Sequence, residues 1–152
     1  MKHAFAALTL FASAMGLAGC DEMESGTRTE IEISEGRLVL PAVEGNPAAV
    51  YFTITYDGDG EATIDGVEVE GAQMAMMHDV EKEDGVTRMV PLKPTTLSDG
   101  ASVEFAPGGK HVMAMKLDES VQSGDLVDVT LTFSDRDDLV FPVKVQAIGE
   151  SE

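Results

Sequence analysis

The chain has 152 residues, enough for one domain and too few for two. Its 28 acidic and 10 basic side chains give a formal net charge of −18, which argues against nucleic acid as a partner because phosphate binding needs a basic surface. A single cysteine excludes a disulfide framework, a C-x-x-C redox pair and a cysteine-built zinc ribbon.

Residues 1–19 read as a lipoprotein signal. Lys2 supplies the positive start, and Ala4 to Ala18 form an apolar run too short for a comfortable transmembrane span. Leu17-Ala18-Gly19-Cys20 matches a lipobox, with cleavage before Cys20 and a diacylglycerol on its thiol. The alternative is an ordinary secretory signal with an incidental cysteine. A lipidated Cys20 is unavailable as a nucleophile or a metal ligand, and a blue-copper centre, which needs a thiolate, is then disfavoured. Residues 20–27 are expected to be the lipidated cysteine and a polar tether. The acidic charge would not hold the protein on an anionic leaflet, so the lipid has to anchor it. Export points to the periplasmic side of a bacterial membrane, and Asp21 after the lipidated position resembles an inner-membrane retention signal. The acidic residues are dispersed without a D-x-D-x-D-G calcium loop, as on a solvated, salt-adapted surface.

Residues 28–148 are expected to form the domain, with 149–152 as a tail. RTEIEI and RLVL give two short apolar runs near its start. AVYFTITY (49–56) alternates Val50, Phe52 and Ile54 against Tyr51, Thr53 and Thr55, the pattern of a half-buried strand. Gln73 to Val80 places Met74, Met76 and His78 on one strand face and Met77 on the other. After the turn residues EDG (83–85), Gly85 to Val90 returns as a second strand and brings Met89 back toward His78. PGG (107–109) precedes a strand with His111, Met113 and Met115 on one face. LVDVTLTF (126–133) alternates again, and Pro142 within LVFPVKV (139–145) suits an edge position. Short strands, frequent turn signals and at most one helical turn predict an all-β sandwich.

His78, Met89, His111 and Met113 form an H-x10-M-x21-H-x-M pattern. Two imidazoles and two thioethers are a donor set for soft, monovalent copper. Taken singly, each would read as a surface histidine or a gap-filling methionine. Together they include both histidines that remain once the signal is removed. Two histidines alone can also serve as acid and base, but that leaves the methionines unexplained, and no other enzyme motif is present. Thioethers do not titrate whereas imidazoles must be deprotonated to bind, so affinity is expected to fall below about pH 6.5. Packing is the expectation for Met77 and Met115. Met76, on the His78 face, is the candidate for a peripheral role, and Met74 stays open between ligand, soft rim and packing.

The spacing, with MMHDVEKEDGVTRMVPL and PGGKHVMAMKL around it, closely resembles the PCu(A)C family of periplasmic copper chaperones, from about Ala48 to about Val145. The resemblance implies a cupredoxin-like (Ig-like) β-sandwich that holds Cu(I) through His78, Met89, His111 and Met113, without enzymatic turnover. It further implies delivery to the copper-bearing subunit of cytochrome c oxidase or to its thiol-bearing assembly factor. The chain ends in QAIGESE, without the His/Met-rich tail that some members use for a second copper. A copper-sequestering tolerance lipoprotein and a metal-free interaction lipoprotein are the competing readings.

Overall fold

The computed structural model describes residues 30–150, so the signal, Cys20 and the tether lie outside the described residues. Within them the chain forms ten strands and no helix: β1 (Ile31–Val39), β2 (Ala48–Tyr56), β3 (Glu61–Val69), β4 (Ala72–Glu83), β5 (Val86–Pro91), β6 (Thr95–Ser98), β7 (Ser102–Phe105), β8 (His111–Leu117), β9 (Leu126–Phe133) and β10 (Leu139–Gln146). Hydrogen bonds join them along one path, β5-β4-β8-β2-β1-β10-β9-β3-β6, with β7 branching from β2. β1 runs parallel to β10, and the other pairings are antiparallel.

Alternation along β2 sets the core. Ala48, Val50, Phe52, Ile54 and Tyr56 are all buried, while the residues between them face outward. The Phe52 ring stacks on Phe105 at 4.4 Å and meets the edge of Phe141 at 5.2 Å. The same apolar cluster takes in Ile64 of β3 and Leu97 of β6 from one edge of the sheet and Met77 and Val112 from the other. The long sheet therefore closes over a single core, and the all-β, cupredoxin-like expectation holds.

Several local expectations need correction. The two short runs near the start are one strand, β1, interrupted by a register shift between Ser34 and Arg37 where Glu35 adopts a φ of 56°. The strand that carries Pro142 is not an edge strand: β10 lies between β9 and β1. The proline is tolerated because Pro142 is opposite Asp128, whose N–H and C=O are both taken by Glu70 on the far side. The missing N–H thus points away from β9, toward β1, whose ladder with β10 begins only at Lys144. β3, β6 and β7 carried too little sequence signal to foresee. β3 loses its alternation at a register shift between Ile64 and Gly66, and β6 and β7 have four residues each, too few to display a period.

Candidate metal centre

The pairing of β4 with β8 places chemically similar residues opposite each other. His78 faces His111, Met76 faces Met113 and Met74 faces Met115. Between these rungs lie Ala75 opposite Ala114 and Met77 opposite Val112, which turn inward. Met77 is only 8% exposed, and Val112 and Ala114 are fully buried. A strand's two faces alternate, so both histidines and four methionines share the outward face. Met77 packs in the core as expected. Met115 does not join it there: it stands half-buried on the outward face. The donors sit on the outer surface of the sheet near its β5 edge.

Met89 reaches this face through the β4–β5 hairpin. Glu83 pairs with Val86, leaving Asp84-Gly85 as a two-residue loop with φ values of 50° and 76°. Positive φ at both positions is the signature of a type I′ turn, whose twist matches the flanking strands and for which Asp-Gly is a preferred sequence. The turn fixes the register that sets Met89 opposite Val80, two residues from His78 and therefore on its face. Met89 lies on the diagonal from His78, within reach of a long side chain, and is 53% exposed.

The imidazoles are held differently. His111 is 7% exposed, and its Nδ1 lies 2.8 Å from the carbonyl oxygen of Gly109. A carbonyl only accepts, so Nδ1 carries the proton and Nε2 keeps the free lone pair. An N–H donated to a backbone carbonyl is the usual way a metal-ligating histidine is oriented. The β7–β8 turn supplies that acceptor: Ala106 N–H donates to Lys110 O at 2.8 Å, and Gly109 N–H to Ala106 O at 3.0 Å. His78 has its Nδ1 sealed from solvent without a hydrogen-bond partner. Such an atom costs about 1–3 kcal/mol, and ligation would satisfy it. The two rings lie 5.9 Å apart, centre to centre, with 25° between their planes. One ion about 2 Å from a nitrogen of each ring spans that separation.

The ladder is closed beyond the histidines by an ion pair, Lys110 Nζ to Asp79 Oδ2 at 3.0 Å. Partial burial of Asp79 pushes its pKa up, but the Lys110 ammonium, the Val80 N–H and the nearby His111 together bring it below the ordinary carboxylate value. This pair was not foreseen. Its signal was the register itself, since the rung after His78 and His111 brings Asp79 and Lys110 together. Among the described residues there is no group of three or more His, Cys, Asp or Glu able to hold a metal. The donors gathered on this face are instead two imidazoles and several thioethers, a set that suits soft ions better than hard ones.

A family model described as "Putative lipoprotein LpqE-like" matches residues 31–145. The "Putative lipoprotein Lxx21020" of Leifsonia xyli subsp. xyli is 27% identical over 135 residues, which are 85% of this chain and 81% of that protein. Among solved structures, the copper-bound PCuAC domain from PmoF2 superposes with a TM-score of 0.63 at 20% identity, covering 78% of this chain and 93% of that one. The solution structure of CuI-DR1885 from Deinococcus radiodurans gives a TM-score of 0.58 at 21% identity, covering 84% of this chain and 87% of that one. The resemblance carried by the histidine and methionine spacing thus extends to the backbone. The fold is that of the PCuAC domains, and the chain belongs to the LpqE-like lipoprotein family.

Proposed function

We propose that this protein is an extracytoplasmic carrier of Cu(I), which it binds through His78, Met89, His111 and Met113. The observation that carries the reading is the rung of paired histidines next to a rung of paired methionines, with the hairpin turning Met89 onto the same face. His111 offers Nε2, its Nδ1 being occupied by Gly109, and His78 holds an unpartnered buried nitrogen. Neutral thioethers favour a soft monovalent ion over harder cations. The PCuAC domain from PmoF2 is copper-bound and DR1885 is in its Cu(I) form in the similar structures, which supports the same cargo here. With no thiolate in the set, the ion can pass to a recipient that offers cysteine ligands.

The lipoprotein name of the family supports an anchored, extracytoplasmic protein. We take Cys20 as the lipidated residue and the inner membrane as its place, with the copper-bearing subunit of cytochrome c oxidase or its thiol-bearing assembly factor as recipient. The test is an anaerobic Cu(I) titration against a competing chelator, using the chain from Asp21 onward, whose core lies wholly within Leu38–Val145. One tight equivalent is expected, weakened at least about tenfold, or about 1.4 kcal/mol, in His78→Ala and in Met113→Ala. Folded variants that bind as the parent does would overturn the four-residue site. Loss of oxidase activity on gene deletion, restored by added copper, is the result expected for delivery; copper sensitivity with normal oxidase would indicate sequestration.

A further inference from the structure

Outward positions on most strands of this protein carry hydroxyl or charged side chains. On β2 they include Tyr51, Thr53 and Thr55, and on β9 Asp128, Thr130 and Thr132 follow a single leucine, Leu126, at the strand's start. The outward face of β4 and β8 differs. From residue 74 to 78 and from 111 to 115 every outward position is histidine or methionine. The four-residue copper site uses His78, His111 and Met113 of these. Met74, Met76 and Met115 are left over, and they are not filling the core: Met74 is 56% exposed and Met76 38% exposed. A face built for apolar docking would draw on leucine, isoleucine and aromatic residues as readily as on methionine. None of those occupies an outward position on these two stretches.

We infer that Met74, Met76 and Met115 form a second soft-metal site, a three-thioether platform that binds a monovalent ion of the Cu(I) class next to the histidine-containing site. Met74 and Met115 are directly opposite, and Met76 is the next outward residue along β4. Opposed residues lie about 5 Å apart across the strands, and successive outward residues about 7 Å apart along them. The methionine side chain has three rotatable bonds and adapts readily, so three sulfurs from these positions can converge on one ion. Three neutral sulfurs without an imidazole make a weaker and more exposed site than the neighbouring one. It would receive an ion at the surface and share Met76, directly opposite Met113, with the path to the tighter site. Only the identity of the ion rests on the copper reading; the thioether cluster rests on the strand register.

The experiment is an anaerobic titration of the chain from Asp21 onward with Ag(I), a monovalent soft probe without redox chemistry, followed through the methionine methyl signals by NMR. The first equivalent is expected to shift Met89 and Met113, and the second Met74, Met76 and Met115. In the double variant M74L/M115L, which keeps volume and polarity close, the second phase should be lost and the first unchanged. Methyl signals of Met74 and Met115 that stay fixed at excess Ag(I) would overturn the second site and leave the copper reading intact. So would a double variant that titrates as the parent does, or a single phase that moves all five methyls together. Shifts at Met74 and Met115 with none at Met89 or Met113 would uphold the thioether site and sink the four-residue one.

Discussion

At the scale of single residues, what separates the methionines is the direction each faces. Met76 and Met77 are neighbours in sequence, yet one points to solvent and the other is sealed against Val112 and the core. Met77→Leu conserves volume and is expected to change stability by less than about 1.5 kcal/mol while leaving Cu(I) affinity unaltered. A copper titration of that variant that departs from the parent would show that the face assignment is wrong. The four candidate ligands stood out because only His78 and His111 follow the signal and each has a methionine two residues away, Met76 and Met113; the burial of β4, β5 and β8 does not itself alternate cleanly. What could not be read was the state of each imidazole. The carbonyl of Gly109 that fixes His111 and the solvent-free Nδ1 of His78 depend on backbone placement, which spacing along the chain does not encode.

Among the elements, the β4–β5 hairpin has the largest effect on the site. Its Asp84-Gly85 loop decides which face Met89 occupies, because a slip of one residue would send every β5 side chain to the opposite side. A Cβ at Gly85 meets nothing within 4 Å, so the constraint there is the positive φ alone. Gly85→Ala should therefore cost about 1 kcal/mol, confined to the hairpin. Amide exchange should quicken in β5 with little change in β2, and Cu(I) should be held less tightly. Unchanged exchange in β5 would show that the turn is not what holds the register. The long strands β2 and β9 were readable because their burial alternates without interruption. The position of β10 was not, because Pro142 avoids the ladder through a pairing geometry that only the assembled sheet reveals.

For the molecule as a whole, the acidic surface makes stability sensitive to acid in an assignable way. Glu150 accepts hydrogen bonds from Ser123 Oγ at 2.6 Å and from Ala147 N–H at 2.7 Å, and these, Ser123 first, hold its pKa below the ordinary value of 4.5. A carboxylate with a depressed folded-state pKa contributes stability that is fully present above its unfolded value. That contribution disappears as pH falls through the folded value, because the unfolded chain takes up the proton first. Glu150→Gln should thus lower Tm at pH 7 relative to the parent, and the gap should close below about pH 4. A gap that persists in acid would mean that the contacts, and not the charge, are what matter. The all-β class was legible from turn spacing and alternation. The wrapping of one continuous sheet around its core was not, since the β1–β10 pairing joins segments more than a hundred residues apart.

The uneven support of the four candidate ligands has a kinetic consequence. Three of them project from the β4–β8 ladder, which is closed by an ion pair and backed by buried Ala114 and Val112. The fourth, Met89, rides on a two-stranded arm whose outer strand, β5, has no further neighbour among the described strands. Under the copper reading, the bond to Met89 is the first to lengthen and the last to form. An incoming thiolate would take the place it vacates while the other three donors still grip the ion, so cargo would change hands one ligand at a time and never travel free.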